Sequence, residues 1–274
     1  MPFVHTTGAR VSYSRVGAGE PVLLIQGVGA IGYAWRPQVE ALARRYSVIT
    51  FDNRGIGASS IIEGPLTVEG MAADALAILD AEGINRCHVV GHSMGGLIAA
   101  QLALTSPRRV KSLALLCTFP DGKSGSRLTS DTFVTGIRTR VGTKRMRRRA
   151  FMSLVASKAA MRGPQSEELA QQMTELFGRD LACQPPIIMR QLRAMARFDP
   201  RWRLRCLAPI RTLVATGSED RIARPKHGRA LAAAIPGSRY VELQGAAHAV
   251  PIESPTVINC LLLDHMEGGK QQVA

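Results

Sequence analysis

Apolar residues along this chain follow two recurring patterns. One is a short run without polar residues, such as Val22–Ile25, which is typical of a strand buried on both faces of a parallel sheet. The other places apolar residues at helical spacing, as in Leu66–Glu82, which is followed by Gly83, a common helix terminator. The alternation of the two patterns predicts an α/β fold with a doubly wound, mostly parallel sheet. The other predicted strands are Val11–Val16, Val48–Phe51, Cys87–Val90, Lys111–Cys117, Thr212–Gly217 and Tyr240–Leu243, and the other predicted helices are Ile31–Arg45, Leu97–Leu104 and Ala230–Ile235.

The alternation stops between Phe119 and about Cys206, where the pattern is mostly helical. Breaks fall at Gly142, at Gly163-Pro164 and at Pro185-Pro186. We interpret residues 119–206 as an α-helical lid inserted between two parts of one core, residues 1–118 and 207–274. The alternative is a set of ordinary surface helices.

The hexapeptide Gly91-His92-Ser93-Met94-Gly95-Gly96 lies between a predicted strand and a predicted helix. A serine in such a turn, with glycine two residues away on either side, is typical of a nucleophile elbow. The turn strains the serine backbone and lifts its hydroxyl clear of the sheet. Ser93 is therefore the candidate nucleophile, and the alternative is a tight turn without chemistry.

A serine nucleophile needs a base, and the base needs an acid to orient it. Asp220 and His248 each follow the end of a predicted strand, as Ser93 does. Because the carboxyl ends of parallel strands share one edge of a sheet, these residues are expected to meet there. Glu219 and Asp121 are rival candidates for the acid. The remaining histidines are interpreted as surface or core residues: His5, His88, His92, His227 and His265.

Four motifs in this order resemble those of α/β-hydrolase fold enzymes, in particular serine esterases and lipases with a helical cap. They are residues 26–29, residues 52–59, the elbow at 91–96, and residues 217–220 paired with 245–248. The chain order of Ser, Asp and His also matches this superfamily. The resemblance covers nearly the whole chain.

The resemblance implies an oxyanion hole built from the backbone N–H groups of Val28 and Met94. Two such donors stabilise a tetrahedral oxyanion by about 3 kcal/mol each. The chain departs from its relatives at Gln26, where many have histidine, and at Val28, which is not aromatic as in cofactor-free haloperoxidases. Ser93 in place of aspartate argues against a haloalkane dehalogenase or an epoxide hydrolase. Residues 52–59 are expected to brace their loop.

The same reasoning predicts which side chains contact the substrate. A helical stripe in the insertion is expected to line an acyl pocket, although the same residues are equally suited to contact the core. The predicted contacts are Gln26, Gly27, Trp35, Ile187, Leu192, Met195 and Phe198.

The leading hypothesis is a carboxylic ester hydrolase that works through an acyl-enzyme and needs no metal or organic cofactor. An acyltransferase, a lactonase or a carbon–carbon bond hydrolase would use the same triad. A ligand-binding protein on a hydrolase scaffold is the alternative outside enzymology. The expected partner is a small-molecule ester, and the sequence leaves the oligomeric state, including a homo-oligomer, open.

Cysteine content and the N-terminal residues predict where the protein is located. The five cysteines are odd in number and form no C-x-x-C pair, and residues 1–10 lack the layout of a signal peptide, so a cytoplasmic protein is expected. No apolar run approaches the length of a membrane-spanning helix. Stable membrane insertion is therefore not expected.

The formal net charge is +14, and residues 119–205 hold 18 Lys and Arg against 7 Asp and Glu, or +11. We interpret the densest group as a solvated helix face. The alternative is a basic surface for acidic substrates or anionic lipid. Nucleic-acid binding is not expected, because no aromatic residues interleave with the cluster. The group consists of Arg138, Arg140, Lys144, Arg145, Arg147, Arg148 and Arg149.

Overall fold

In a computed structural model of the protein, the described residues are 1–60, 64–126, 130–162 and 165–268. Within them, eight strands form one sheet in the order β1-β2-β4-β3-β5-β6-β7-β8. The predicted α/β fold with a mostly parallel sheet is therefore confirmed. The strands are β1 (Phe3–Thr6), β2 (Ala9–Val16), β3 (Glu20–Ile25), β4 (Tyr46–Phe51), β5 (Cys87–His92), β6 (Val110–Leu116), β7 (Arg211–Gly217) and β8 (Arg239–Leu243).

The strands from β3 to β8 pair in parallel, and β1 and β2 add an antiparallel edge. β3 and β4 are shielded from water along nearly their whole length, which explains why their sequences contain few polar residues. The carboxyl ends of the parallel strands share one edge of the sheet. Every loop that carries a predicted catalytic residue begins at this edge.

Helices cover the sheet, and several of them interrupt the core between β6 and β7. The predicted helix at 31–45 is shorter than expected, because a 3-10 turn at Gly32–Trp35 precedes a helix that contains Pro37 in its first turn. None of the helices in the described ranges is long and apolar enough to cross a membrane. The helices are α1 (Arg36–Leu42), α2 (Val68–Ala81), α3 (Met94–Thr105), α4 (Gly122–Ser126), α5 (Ser130–Arg138), α6 (Lys144–Val155), α7 (Lys158–Arg162), α8 (Gln165–Phe177), α9 (Ile187–Arg197), α10 (Pro225–Ala234), α11 (Val250–Glu253) and α12 (Pro255–Met266).

Helices α4 to α9 lie between β6 and β7, in the part of the chain interpreted above as a lid, and this role stays a prediction. Gly142 separates α5 from α6, and Pro185-Pro186 precedes α9, as predicted. The predicted break at Gly163-Pro164 lies outside the described residues. The insertion has its own apolar cluster, in which Met152 and Met173 join Ala34 and Ile252 of the core. This contact places the insertion over the edge of the sheet where the strands end.

Candidate active site

Ser93 occupies the turn between β5 and α3 in a strained conformation. Its φ of 55° and ψ of −122° lie outside the regions that residues with a Cβ normally adopt. A Cβ on Gly91 would overlap the backbone of Gly95, and a Cβ on Gly95 would overlap the backbone of Ile25. The two glycines are therefore required by close packing, and the strain presents Ser93 at the start of α3.

His248 and Asp220 form a buried pair on the loops after β8 and β7. The Nδ1 atom of His248 lies 2.8 Å from Oδ2 of Asp220. The other carboxylate oxygen accepts the backbone N–H groups of Ile222 and Ala223, each at 2.8 Å. Burial acts to raise the pKa of Asp220, but His248 and these hydrogen bonds outweigh it, so the pKa is lowered. An ionised Asp220 holds a proton on Nδ1 and leaves Nε2 of His248 free to act as a base.

The rival acids contact other partners. Asp121 accepts the backbone N–H and the hydroxyl of Ser124, both at 2.8 Å, at the start of α4. Glu219 accepts the backbone N–H of Lys158 at 2.7 Å, at the start of α7. Both carboxylates therefore serve the insertion, and the contact with His248 belongs to Asp220.

His92, which the sequence interpretation treats as a surface or core residue, contacts the loop that carries His248. Its Nε2–H donates to the backbone carbonyl of His248 at 2.8 Å, and its ring lies edge-on to Trp35. Burial, with a smaller effect of the neighbouring His248, lowers the pKa of His92 to about 3. A neutral His92 therefore positions the loop that carries His248. Its place beside Ser93 was the only sequence signal for this role.

The loop after β3 contains the candidate oxyanion donor, Val28. A Cβ on Gly27 would lie 2.9 Å from Cβ of Ser93, so this loop passes directly over the candidate nucleophile. The side-chain oxygen of Gln26 accepts the N–H of Gly27 at 3.2 Å, and the amide of Asn53 donates to the Gln26 carbonyl at 2.9 Å. Gln26 therefore holds the loop with its side chain. The donor roles of Val28 and Met94 remain predictions.

Two side chains of the insertion hold the same loop at Gly29. Gln191 of α9 accepts the N–H of Gly29 at 2.8 Å, and Arg179 donates to its carbonyl at 2.9 Å. Gly29 itself has a φ of 69°, and a Cβ there would contact Ile188. Sequence reasoning missed both clamps, because neither side chain belongs to a motif.

The adjacent loop, residues 52–59, is braced as predicted. Asp52 accepts the N–H of Gly32 at 2.7 Å and that of Ala58 at 2.9 Å. The hydroxyl of Ser59 donates to the Asp52 carbonyl at 2.7 Å. These bonds tie the loop after β4 to the loop after β3.

Ser93 and His248 both line a cavity of about 500 Å³. Its walls are mostly apolar, and both the core and the insertion contribute to them. Two arginines, Arg140 and Arg179, line it, and no acidic side chain does so among the described residues. The remaining apolar lining includes Phe119, Phe133, Phe151, Phe177, Ile188 and Ile222.

Four of the seven residues predicted to contact the substrate line this cavity, and three do not. Trp35 is fully buried and Phe198 nearly so, and both belong to the main core. Ile187 is buried on α9 but lies outside the lining. The cavity lining therefore does not support these three, and for Ile187 and Phe198 the reason is that helical spacing does not distinguish the face toward the cavity from the face toward the core. Those that line it are Gln26, Gly27, Leu192 and Met195, and the predicted oxyanion donor Val28 lines it as well.

His92, Cys117 and His248 bring three potential metal ligands within 4.8 Å of one another. Burial, followed by the negative charge of Asp220, raises the pKa of Cys117 well above its usual value. A metal would need the thiolate, and the two imidazoles are engaged in the hydrogen bonds described above. The donor set therefore fits a metal poorly.

Comparison with known proteins agrees with the fold. A family model described as the α/β-hydrolase fold matches residues 20–255. RutD of Azorhizobium caulinodans, whose name assigns it to carbamate hydrolysis, is 33% identical over 274 residues, spanning 96% of this chain and 97% of RutD. The crystal structure of an enol-lactonase from Burkholderia xenovorans LB400 is 26% identical with a TM-score of 0.81, covering 97% of this chain and 100% of that one.

A further similar structure is BpoC of Mycobacterium tuberculosis H37Rv, whose name assigns it to the non-heme bromoperoxidases. It is 28% identical with a TM-score of 0.81, covering 95% of this chain and 97% of BpoC. The chain is thus similar to a protein named as a bromoperoxidase, even though its residue 28 is valine and not an aromatic residue.

Proposed function

Because the chain belongs to the α/β-hydrolase fold family, we propose that it is a serine hydrolase that cleaves carboxylic esters through an acyl-enzyme. The observation that carries the proposal is the meeting of three loops at one apolar cavity. Ser93 lines this cavity on a strained elbow, and His248 lines it while paired with Asp220. A serine with a base and an orienting acid is the arrangement that nucleophilic acyl transfer requires.

In the proposed reaction, the Ser93 hydroxyl attacks the ester carbonyl while His248 takes its proton. The oxyanion that forms is held by the backbone N–H groups of Val28 and Met94. The tetrahedral intermediate collapses, the alcohol leaves with the proton from His248, and the acyl group stays on Ser93. Water, activated by His248, then attacks this ester and releases the acid. Asp220 keeps the imidazole oriented and stabilises its charged form.

Cyclic esters are the second candidate substrates, and the similarity to the enol-lactonase favours them. Lactone opening uses the same steps, except that the leaving alcohol stays tethered to the acyl group. Carbamates are a further class of candidate substrates, because the name of the relative RutD assigns it to carbamate hydrolysis. The apolar walls of the cavity support an acyl chain or ring in preference to a small polar substrate.

The test is a burst experiment with p-nitrophenyl esters of increasing chain length. We expect a burst of p-nitrophenol followed by steady turnover, and its loss in Ser93→Ala, because alanine fits the elbow without the nucleophile. A thermal melt of the variant checks that it is folded. Turnover near that of the wild type in Ser93→Ala would refute the proposal.

The same assay, extended to lactones and carbamates, ranks the substrate classes. An added alcohol acceptor separates hydrolysis from acyl transfer, since a transferase yields a new ester. A folded wild-type protein that binds esters without releasing any p-nitrophenol would indicate a ligand-binding protein instead.

A further inference from the structure

Large apolar side chains are concentrated on the exposed side of the insertion. Val141 and Met146 are 63% and 61% exposed, and Phe133 is 57% exposed. Val134 and Ile137 are exposed on the same helix as Phe133. Single exposed apolar residues are common on proteins, but five between residues 133 and 146 form a patch of the kind that marks an interaction site.

These side chains form one surface that continues into the cavity. Helix α5 packs against α6, and the Met146 side chain lies over Gly142 in the turn between them. Phe133 and Ile137 also line the cavity that contains Ser93. The exposed patch therefore borders the opening of the candidate active site.

The same segment is strongly basic. Residues 132–149 contain seven basic side chains and no acidic one. Arg148 is half-buried and pairs with Asp180 and Glu167 of the insertion, and Arg147 is also half-buried. The other five are exposed, and no salt bridge found among the described residues involves them; these are Arg138, Arg140, Lys144, Arg145 and Arg149.

We propose that residues 132–146, which we name the docking surface, bind an anionic phospholipid surface. Exposed apolar side chains enter the boundary between headgroups and acyl chains, while flanking basic residues contact the anionic headgroups. No helix of the described ranges can span a membrane, so the contact is peripheral. A second copy of this chain would bring like charges together, which disfavours self-association through this face.

This binding does not depend on the proposed reaction, but it gives the reaction a source of substrate. A docked protein would face the bilayer with the opening of its apolar cavity. Esters dissolved in the membrane would then enter without crossing water. The basic cluster is on this interpretation a binding surface, in place of the solvated face that the sequence alone favours.

Sedimentation with sucrose-loaded vesicles tests the proposal, using phosphatidylcholine alone and phosphatidylcholine mixed with phosphatidylglycerol. Three triple variants avoid the residues that line the cavity, and thermal melts check that each is folded. The charge variant is Arg138→Gln, Lys144→Gln and Arg145→Gln. The apolar variant is Val134→Ser, Val141→Ser and Met146→Ser. The control, with the same loss of charge at exposed arginines elsewhere, is Arg44→Gln, Arg86→Gln and Arg108→Gln.

We expect binding to the anionic vesicles only. Each basic residue at such a surface contributes roughly fivefold to the partition constant, so the charge variant should bind roughly a hundredfold more weakly. The apolar variant should lose at least roughly tenfold, whereas the control should bind nearly as well as the wild type.

Three outcomes would overturn the proposal. The first is no binding of the wild-type protein to anionic vesicles. The second is a loss in the control as large as that in the charge variant, because net charge alone would then explain the binding. The third is an affinity for duplex DNA as high as that for anionic vesicles and unchanged in the apolar variant. That result would identify the surface as a nucleic-acid binding site.

Discussion

Acid should destabilise this protein through histidines that the fold keeps neutral. Burial lowers the pKa of His92 from 6.5 to about 3 and, as the largest cause, that of His265 from 6.5 to about 4. Protons therefore bind the unfolded chain more readily than the folded one. The stabilisation is complete above the unfolded pKa of 6.5 and is lost as the pH falls toward the folded values.

The size of the effect follows from these two pKa values. Between about pH 7 and about pH 5, each histidine should remove about 2 kcal/mol from the free energy of unfolding. Together they amount to about 4 kcal/mol, a large share of the roughly 5–15 kcal/mol that stabilises a typical domain. The protein should therefore unfold at much lower urea concentrations near pH 5 than near pH 7.

His92→Gln isolates one of the two contributions. The glutamine amide can donate to the His248 carbonyl but does not titrate, so the variant should lose about 2 kcal/mol less than the wild type over this range. Urea denaturation at the two pH values, followed by circular dichroism, measures the difference. His5→Gln is the control, because His5 is exposed on β1 and its replacement should leave the pH dependence intact. If His92→Gln lost as much stability as the wild type, the buried neutral state of His92 would be wrong.

Three further predictions concern the site. Asp220→Asn should lower kcat for ester hydrolysis by roughly 10⁴-fold by favouring the wrong imidazole tautomer, whereas Glu219→Gln and Asp121→Asn should stay within roughly tenfold of the wild type. Gln191→Ala should lower kcat more than it changes KM, because it frees the N–H of Gly29 beside Val28, and the exposed Gln171→Ala should change neither. Leu192→Phe should shift preference toward shorter acyl chains without abolishing turnover, measured on the p-nitrophenyl ester series.

The buried part of the sheet was readable from the sequence, whereas the edge strand β1 was not. β3 is apolar at nearly every position because both of its faces are covered, so its pattern identifies it. β1 is short and alternates between exposed and half-buried positions, and it forms because β2 supplies a partner through the turn at Gly8. A pairing partner of this kind is not visible in the strand's own residues.

The candidate triad was predictable because each member follows the end of a strand. Chain order and fold class then fix the edge at which Ser93, Asp220 and His248 meet. The sequence favours Asp220 over Asp121, although both residues follow strands at that edge. In the structure they differ in that Asp220 contacts Nδ1 of His248, whereas Asp121 accepts hydrogen bonds from Ser124 at the start of α4.

The clamp on Gly29 explains why the insertion cannot be understood apart from the core. Its two partners lie 162 and 150 residues further along the chain, on a part of the sequence with no recognisable motif. Gly29 follows Val28 directly, so a shift of α9 that moves Gln191 also moves the backbone that carries the candidate oxyanion donor.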